Sequence, residues 1–207
     1  DCFIDLPNGR ILDIASKMGE FAIAIVHRCN FMKISIDRIK DKIISIPTSS
    51  IAYEFTRKVY EVLGLNVDMI VSQFTSYDLL TLKETDSNGR ETDKVDYTKI
   101  KSILSQNCMA SEMTLDDNIE NEGEQMNFNA VVGNPPYQED DGGAGASARA
   151  IYPDFVNIAR TTSSRYSSVI IPTRWFTGGK HLNEFRESMI NDIHIKELHD
   201  CLHPEEI

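Results

Sequence analysis

A chain of 207 residues with 41% hydrophobic and 26% charged side chains has the apolar content for one core, and at about 150 residues per domain it holds one full domain and a small remainder at most. Its net charge of −11 argues against a general polyanion binder, and no window approaches the about 18 consecutive apolar residues of a membrane span. The opening residues, with Asp1, Asp5 and Pro7, lack the basic start and apolar run of a secretion signal, so a cytoplasmic location is expected.

Residues 11–15 form a short apolar run leading to Gly19, and Phe21 opens the next apolar stretch through Val26; this predicts a strand, a turn and a buried helix. The pattern then repeats, with a strand at 43–46, a turn at Pro47, an N-cap at Ser49 or Ser50, and a helix over 51–63 ended by Gly64. A third strand is expected at 67–72, placing Asp78 beyond its end, followed by a polar loop over 83–96 around Asn88-Gly89, a helix over 97–106 and an acidic connection over 111–127. A fourth strand at 128–132 runs straight into Gly133-Asn134-Pro135-Pro136-Tyr137, where two prolines forbid continued pairing and impose a rigid loop. After a glycine-rich stretch over 138–147 come a helix over 151–160, a strand at 168–171, a helix over 182–189 and a strand at 193–198. Strands alternating with helices predict an α/β fold with an open, mostly parallel sheet and helices on both faces.

Charge is unevenly spread. Residues 78–127 hold 12 acidic side chains against 5 basic ones, whereas residues 149–186 hold six basic side chains, among them Arg149, Arg174 and Lys180, against Asp154 and Glu184. That reversal marks either a rim that faces phosphates or a solvated basic surface. Cys2, Cys29, Cys108 and Cys201 are far apart with no C-x-x-C pair, so reduced thiols are expected. The spacing of His194, His199, Cys201 and His203 fits no zinc pattern, and no metal is expected.

In open α/β sheets the ligand sits at the carboxyl ends of the strands. Asp13, Ala15 and Gly19 follow the first strand, where a small residue and a glycine let the backbone approach a nucleoside-bearing group. The stretch Asn134-Pro135-Pro136-Tyr137 carries more information. An exocyclic amine conjugated to a purine is a poor nucleophile. Two acceptors, the Asn134 side-chain oxygen and the Pro135 carbonyl, would bind its two hydrogens and draw the nitrogen toward tetrahedral geometry. The prolines fix that carbonyl, and Tyr137 offers a ring face to a base swung out of its duplex. Neither a metal nor a general base is required for such a transfer, which draws its rate from positioning.

These residues resemble the N-P-P-Y class of amino methyltransferases, and within it the adenine-specific methylases of bacterial restriction-modification systems. Besides residues 133–138, the resemblance rests on Ala150-Ile151-Tyr152-Pro153-Asp154-Phe155, on Ile171-Pro172-Thr173-Arg174-Trp175-Phe176 and on Gly178-Gly179-Lys180. It implies a Rossmann-like fold, S-adenosylmethionine as the donor, and methylation of the adenine N6 amine in a specific double-stranded DNA sequence with the base flipped out. The same resemblance implies that Asp13, Ala15, Gly19 and Phe21 line the donor pocket, that Asp78 meets the donor's adenine, and that Asn134, Pro135, Pro136 and Tyr137 are catalytic. Arg149, Arg174 and Lys180 are candidate DNA contacts, Trp175 is either core or a wall of the base pocket, and a restriction endonuclease domain or subunit is a candidate partner.

The chain departs from the family pattern in two places. Lys17 and Met18 stand where glycine and serine are usual, and Pro47-Thr48-Ser49 follows the second strand where a carboxylate usually holds the ribose; Glu20 or Thr48 are the candidates to replace it. A donor-binding segment before the first strand and a DNA-recognition region after the sheet are not evident, which suggests a catalytic domain that is a fragment of a longer protein. Two other readings stay open: the same four residues acting on a protein glutamine or an RNA base, or a non-catalytic DNA-binding module with a degenerate donor site.

Overall fold

A computed structural model describes residues 9–106, 108–116, 128–139, 149–179 and 182–201. The apolar runs of the sequence become strand β1 (Ile11–Ser16) and strand β2 (Ile43–Pro47), each buried at every residue. Successive side chains of a strand point to opposite faces, so burial at every position means that both faces of the sheet are covered there. Helix α1 (Glu20–Phe31) follows β1, and helix α2 (Ser50–Leu63) follows β2. The start and end of α2 are written in the sequence: the Ser49 hydroxyl accepts the Ala52 N–H at 3.1 Å, and Gly64 ends the helix at φ +73°. Between those ends Ala52, Thr56 and Tyr60, spaced by four, form its buried stripe.

The remaining elements are helix α3 (Ser76–Leu79), strands β3 (Lys83–Thr85) and β4 (Glu91–Val95), helix α4 (Tyr97–Leu104), strand β5 (Phe128–Gly133), helix α5 (Tyr152–Thr162), strand β6 (Ser163–Val169) and helix α6 (Asn183–Ile190). The main sheet runs β2-β1-β5-β6 with every pair parallel, and a bridge from Ser45 to Ile70 adds the next segment outside β2. The chain therefore builds outward from β1 through β2 to Ile70, then returns to the other side of β1 at β5. The order reverses between β1 and β5, which is the switch point where α/β sheets open a crevice for ligand.

Four expectations are corrected. Residues 67–72 do not form a strand: the Asn66 side chain accepts the Asp68 N–H at 3.0 Å and turns Val67–Met69 into a 3₁₀ turn, leaving Ile70 and Val71 to touch β2. The supposed loop over 83–96 is the antiparallel hairpin β3–β4, closed where Asp86 accepts the N–H groups of Asn88 and Arg90 and Gly89 adopts φ +74°. Strand β6 begins at Ser163, five residues before the expected 168–171, because an exposed strand does not need apolar side chains. Residues 193–198 form no strand; the Asp192 carboxylate accepts the His194 N–H at 2.9 Å, and Ile193 stays 91% exposed.

The chain divides into two compact units, one of Asp1–Pro135 with Asp154–Ile170 and the other of Pro136–Pro153 with Ile171–Ile207. The first holds the sheet with α1 to α4 and most of α5. The second is organised by an aromatic cluster in which Phe185 meets Tyr152 edge-on at 5.7 Å and Trp175 at 5.9 Å, while Trp175 meets Phe176 at 4.6 Å. Trp175, 6% exposed, is a core residue there.

Candidate active site

The two strands that flank the reversal bring the candidate catalytic and donor segments together. Asp13 is level with Val132 in the parallel register of β1 and β5, and extending that register by two residues sets Asn134 level with Ala15. Gly133 makes this approach possible: a Cβ there would lie 2.7 Å from Ile14 Cγ2 and 4.0 Å from the Ala15 nitrogen. Its carbonyl accepts the Ile170 N–H at 2.9 Å, so the first carbonyls beyond the sheet are those of Asn134 and Pro135. Asn134 is half-buried, Pro135 and Pro136 are buried, and Tyr137 is 41% exposed.

The segment after the motif is tied down by backbone pairing. Tyr137 accepts the Ile151 N–H at 3.2 Å, Gln138 bridges Ala150, and the Glu139 N–H donates to the Arg149 carbonyl at 3.0 Å. This places Arg149 one bridge away from Tyr137, with its guanidinium 3.9 Å from the Glu139 carboxylate. Arg174 is exposed in the 3₁₀ turn Thr173–Thr177, and Lys180 lies outside the described residues.

On the β1 side, the loop over 16–19 is a compact turn fastened to α2. The Ser16 hydroxyl accepts the Gly19 N–H at 3.2 Å and pairs with the Thr56 hydroxyl at 3.0 Å. Gly19 has φ +74°, and a Cβ on it would stand 3.1 Å from Val59 Cγ1. Lys17, half-buried, and Met18, 58% exposed, fall on the outer part of this turn, whereas Ala15, Ser16 and Gly19 are buried. Phe21 is half-buried in the first turn of α1.

Asp13 is the electrostatic centre of this side. It is fully buried, and its Oδ1 accepts the Ala15 N–H at 3.3 Å, while Oδ2 has no hydrogen-bond partner among the described residues. Burial pushes its carboxyl up to about 7, against the partial relief of the Ala15 N–H and the Ser16 hydroxyl. Nearby, the Tyr60 hydroxyl pairs with Ser45 at 2.9 Å and reaches the Ile43 carbonyl at 3.3 Å, and burial raises its ionisation well above the usual phenol range.

One strand over, at the carboxyl ends of β2 and the Ile70 segment, a cavity of about 670 Å³ opens between α2 and residues 71–78. Phe55, Val71 and Phe74 give it apolar walls, and Ser49, Glu54, Gln73 and Asp78 add polar groups. Asp78 is held in place, because its Oδ2 accepts the Thr75 N–H at 2.7 Å and the Thr75 hydroxyl at 2.8 Å. Within the first unit the structure sets the predicted residues in two neighbouring places. Asp13 and Ala15 lie beside β5 and the Asn134-Pro135 segment that leaves it, Gly19 closes the turn after β1, and Asp78 lines the cavity; Thr48, between two cavity residues, donates its N–H to the Ser16 carbonyl at 3.0 Å and links them. Of the two candidates for the ribose, Glu20 accepts the Met18 N–H at 2.8 Å and Thr48 makes that link. Glu54 was missed by the sequence reading, although Ile51, Glu54, Phe55 and Lys58 at helical spacing put one carboxylate on the face that borders the cavity.

Comparison with known proteins fits this geometry. The family model described as Eco57I restriction-modification methylase matches residues 20–207, so β1 and the loop that follows it lie before the matched region. A Mycoplasma pneumoniae protein described as an uncharacterized adenine-specific methylase is 33% identical over 91 residues, 40% of this chain. The match spans 22% of that relative's length. With a parallel sheet that reverses beside an N-P-P-Y segment, and a family match over most of its length, this chain belongs to the Eco57I restriction-modification methylase family.

Proposed function

We propose that this chain is the catalytic part of a DNA methyltransferase that uses S-adenosylmethionine to methylate the N6 amine of an adenine flipped out of double-stranded DNA. The observation that carries the reading is the seating of Gly133 on Ile14, which delivers Asn134 and Pro135 to the carboxyl end of β5 beside the turn after β1. The residues present fit the donor: Asp13 has a buried oxygen with no partner among the described residues, and the neighbouring cavity combines apolar walls with the Ser49 hydroxyl and the Asp78 and Glu54 carboxylates. In this reading Ala15 and Gly19 admit the donor's backbone-facing side, with Phe21 at the start of α1 beside them, and Asp78 receives its adenine. The donor supplies an electrophilic sulfonium methyl. Asn134 and Pro135 accept the two amine hydrogens and make the nitrogen lone pair available, and Tyr137 stacks on the flipped base. Arg149, Arg174 and Lys180 hold phosphates, so they position the duplex without reading its sequence. A restriction endonuclease, on the same polypeptide or another, is the partner this reading implies. Among the described residues, no helix is long and apolar enough to cross a membrane.

The test is Asn134→Ala in the full-length protein. Methyl incorporation into DNA should be lost while S-adenosylmethionine still binds with unchanged affinity; incorporation equal to wild type would sink the assignment.

A further inference from the structure

Resting on the donor reading above, we infer that Asp13 carries a proton while the donor site is empty and releases it to solvent when the cationic donor binds. The geometry that points to this is the distribution of partners in the buried layer between β1, β2 and α2. Ser45, level with Asp13 on β2, commits its hydroxyl to Tyr60, and Tyr60 in turn reaches the Ile43 carbonyl. Ser16 is committed to Thr56 and to the Gly19 N–H. The polar groups around Asp13 are thus largely paired with one another: the carboxyl accepts one long bond, from the Ala15 N–H at 3.3 Å, the Ser16 hydroxyl shared with Thr56 and Gly19 gives it only partial relief, and Oδ2 is unpartnered among the described residues. A carboxylate in this setting is shielded from bulk solvent by burial and has no strong counter-charge beside it, and the protonated form is the stable one.

The charged groups that face Asp13 do not supply the missing counter-charge. Glu20, on α1, disfavours ionisation, and Lys17, in the turn, favours it only weakly as the smallest of the influences on the carboxyl. Tyr60, on α2, is a neutral hydroxyl, and β2 (Ile43–Pro47) and β5 (Phe128–Gly133) carry no titratable side chain. The donor brings what is absent. S-adenosylmethionine carries a sulfonium and an ammonium group, and the turn assigned to it begins at Ala15, the residue whose N–H already touches Asp13. Positive charge placed there favours the carboxylate, and the proton leaves for solvent with no covalent change.

The experiment is calorimetric titration of the full-length protein with S-adenosylmethionine at pH 6 and pH 8, each in two buffers that differ in ionisation heat. With the empty-site carboxyl titrating at about 7, about 0.9 of a proton should be released per donor bound at pH 6 and about 0.1 at pH 8. The donor Kd should tighten by nearly tenfold per pH unit up to pH 7 and then level off, and Asp13→Asn should abolish both effects. Binding with identical heats in the two buffers at pH 6 would overturn the inference while leaving the donor reading intact, as would release that persists in the Asn variant. If that variant fails to fold, the wild-type buffer comparison decides alone. No binding at either pH would overturn the donor reading and this inference with it.

Discussion

Substituting Gly133 by alanine probes the contact on which the placement of the catalytic segment depends. Gly133 is not among the residues with positive φ, so alanine brings no backbone strain there, and the steric contact is the main term. The new methyl would stand 2.7 Å from Ile14 Cγ2, roughly 1 Å inside the optimal carbon–carbon separation of about 3.5–4.0 Å. Overpacking of this kind costs about 1–3 kcal/mol, offset by the roughly 0.5–1 kcal/mol that alanine gains over glycine in a strand, leaving a net loss of about 1–2 kcal/mol. Urea unfolding of wild type, G133A, I14A and the double variant measures it. I14A alone removes the opposing methyl at a cost of about 2–5 kcal/mol, and adding G133A to it should cost nothing further and leave only the roughly 0.5–1 kcal/mol gain of alanine, a coupling of about 1–3 kcal/mol. Methyl transfer by G133A should fall by about tenfold or more, because the displaced β5 end carries Asn134 and Pro135 with it. A G133A protein within about 0.5 kcal/mol of wild type, with strictly additive effects in the cycle, would refute the contact and the seating argument.

Other outcomes follow from the same layer of packing. The folded carboxyl of Asp13 titrates at about 7 against 3.8 for the free group, so its contribution to stability is fully present below pH 4 and is lost as pH rises to about 7, by up to about 4 kcal/mol. Urea midpoints between pH 4 and 8 should show that decline in wild type and not in Asp13→Asn. Ser49→Ala removes the acceptor for the Ala52 N–H and should lower stability by about 1 kcal/mol, read as a fall in thermal midpoint. Tyr60→Phe leaves the buried Ser45 hydroxyl without its 2.9 Å partner, and should cost about 1–2 kcal/mol in unfolding free energy.

The central half of the fold was legible because it obeys local rules. The short apolar runs at 11–15 and 43–46, broken only by Asp13 and Ser45 and bounded by turn signals, read as buried strands, and the Ser49 cap with Gly64 bounds α2 to within a residue of its observed limits. What failed were segments whose structure depends on a neighbour. Residues 67–72 and 193–198 are apolar enough for strands, yet the Asn66 and Asp192 side chains turn the backbone just there. Strand β6 is polar and exposed, and only its register against β5 makes it a strand. At the site, the two prolines announced a rigid exit from a strand, but not that Gly133 would be pressed against Ile14. Nor did the sequence reveal that Asp13 would lie fully buried: the sequence reading sets it and Ala15 after the first strand, where an acid reads as solvent-facing, but β1 runs on to Ser16 and holds both inside the sheet.

The most direct measurement is transfer from methyl-labelled S-adenosylmethionine by the full-length protein, offered DNA, RNA and protein together, followed by digestion and identification of the labelled species. The account predicts label in DNA alone, recovered as N6-methyladenine and lost with Asn134→Ala. Label in RNA or in protein glutamine, or in DNA as a methylated base other than N6-methyladenine, would contradict it.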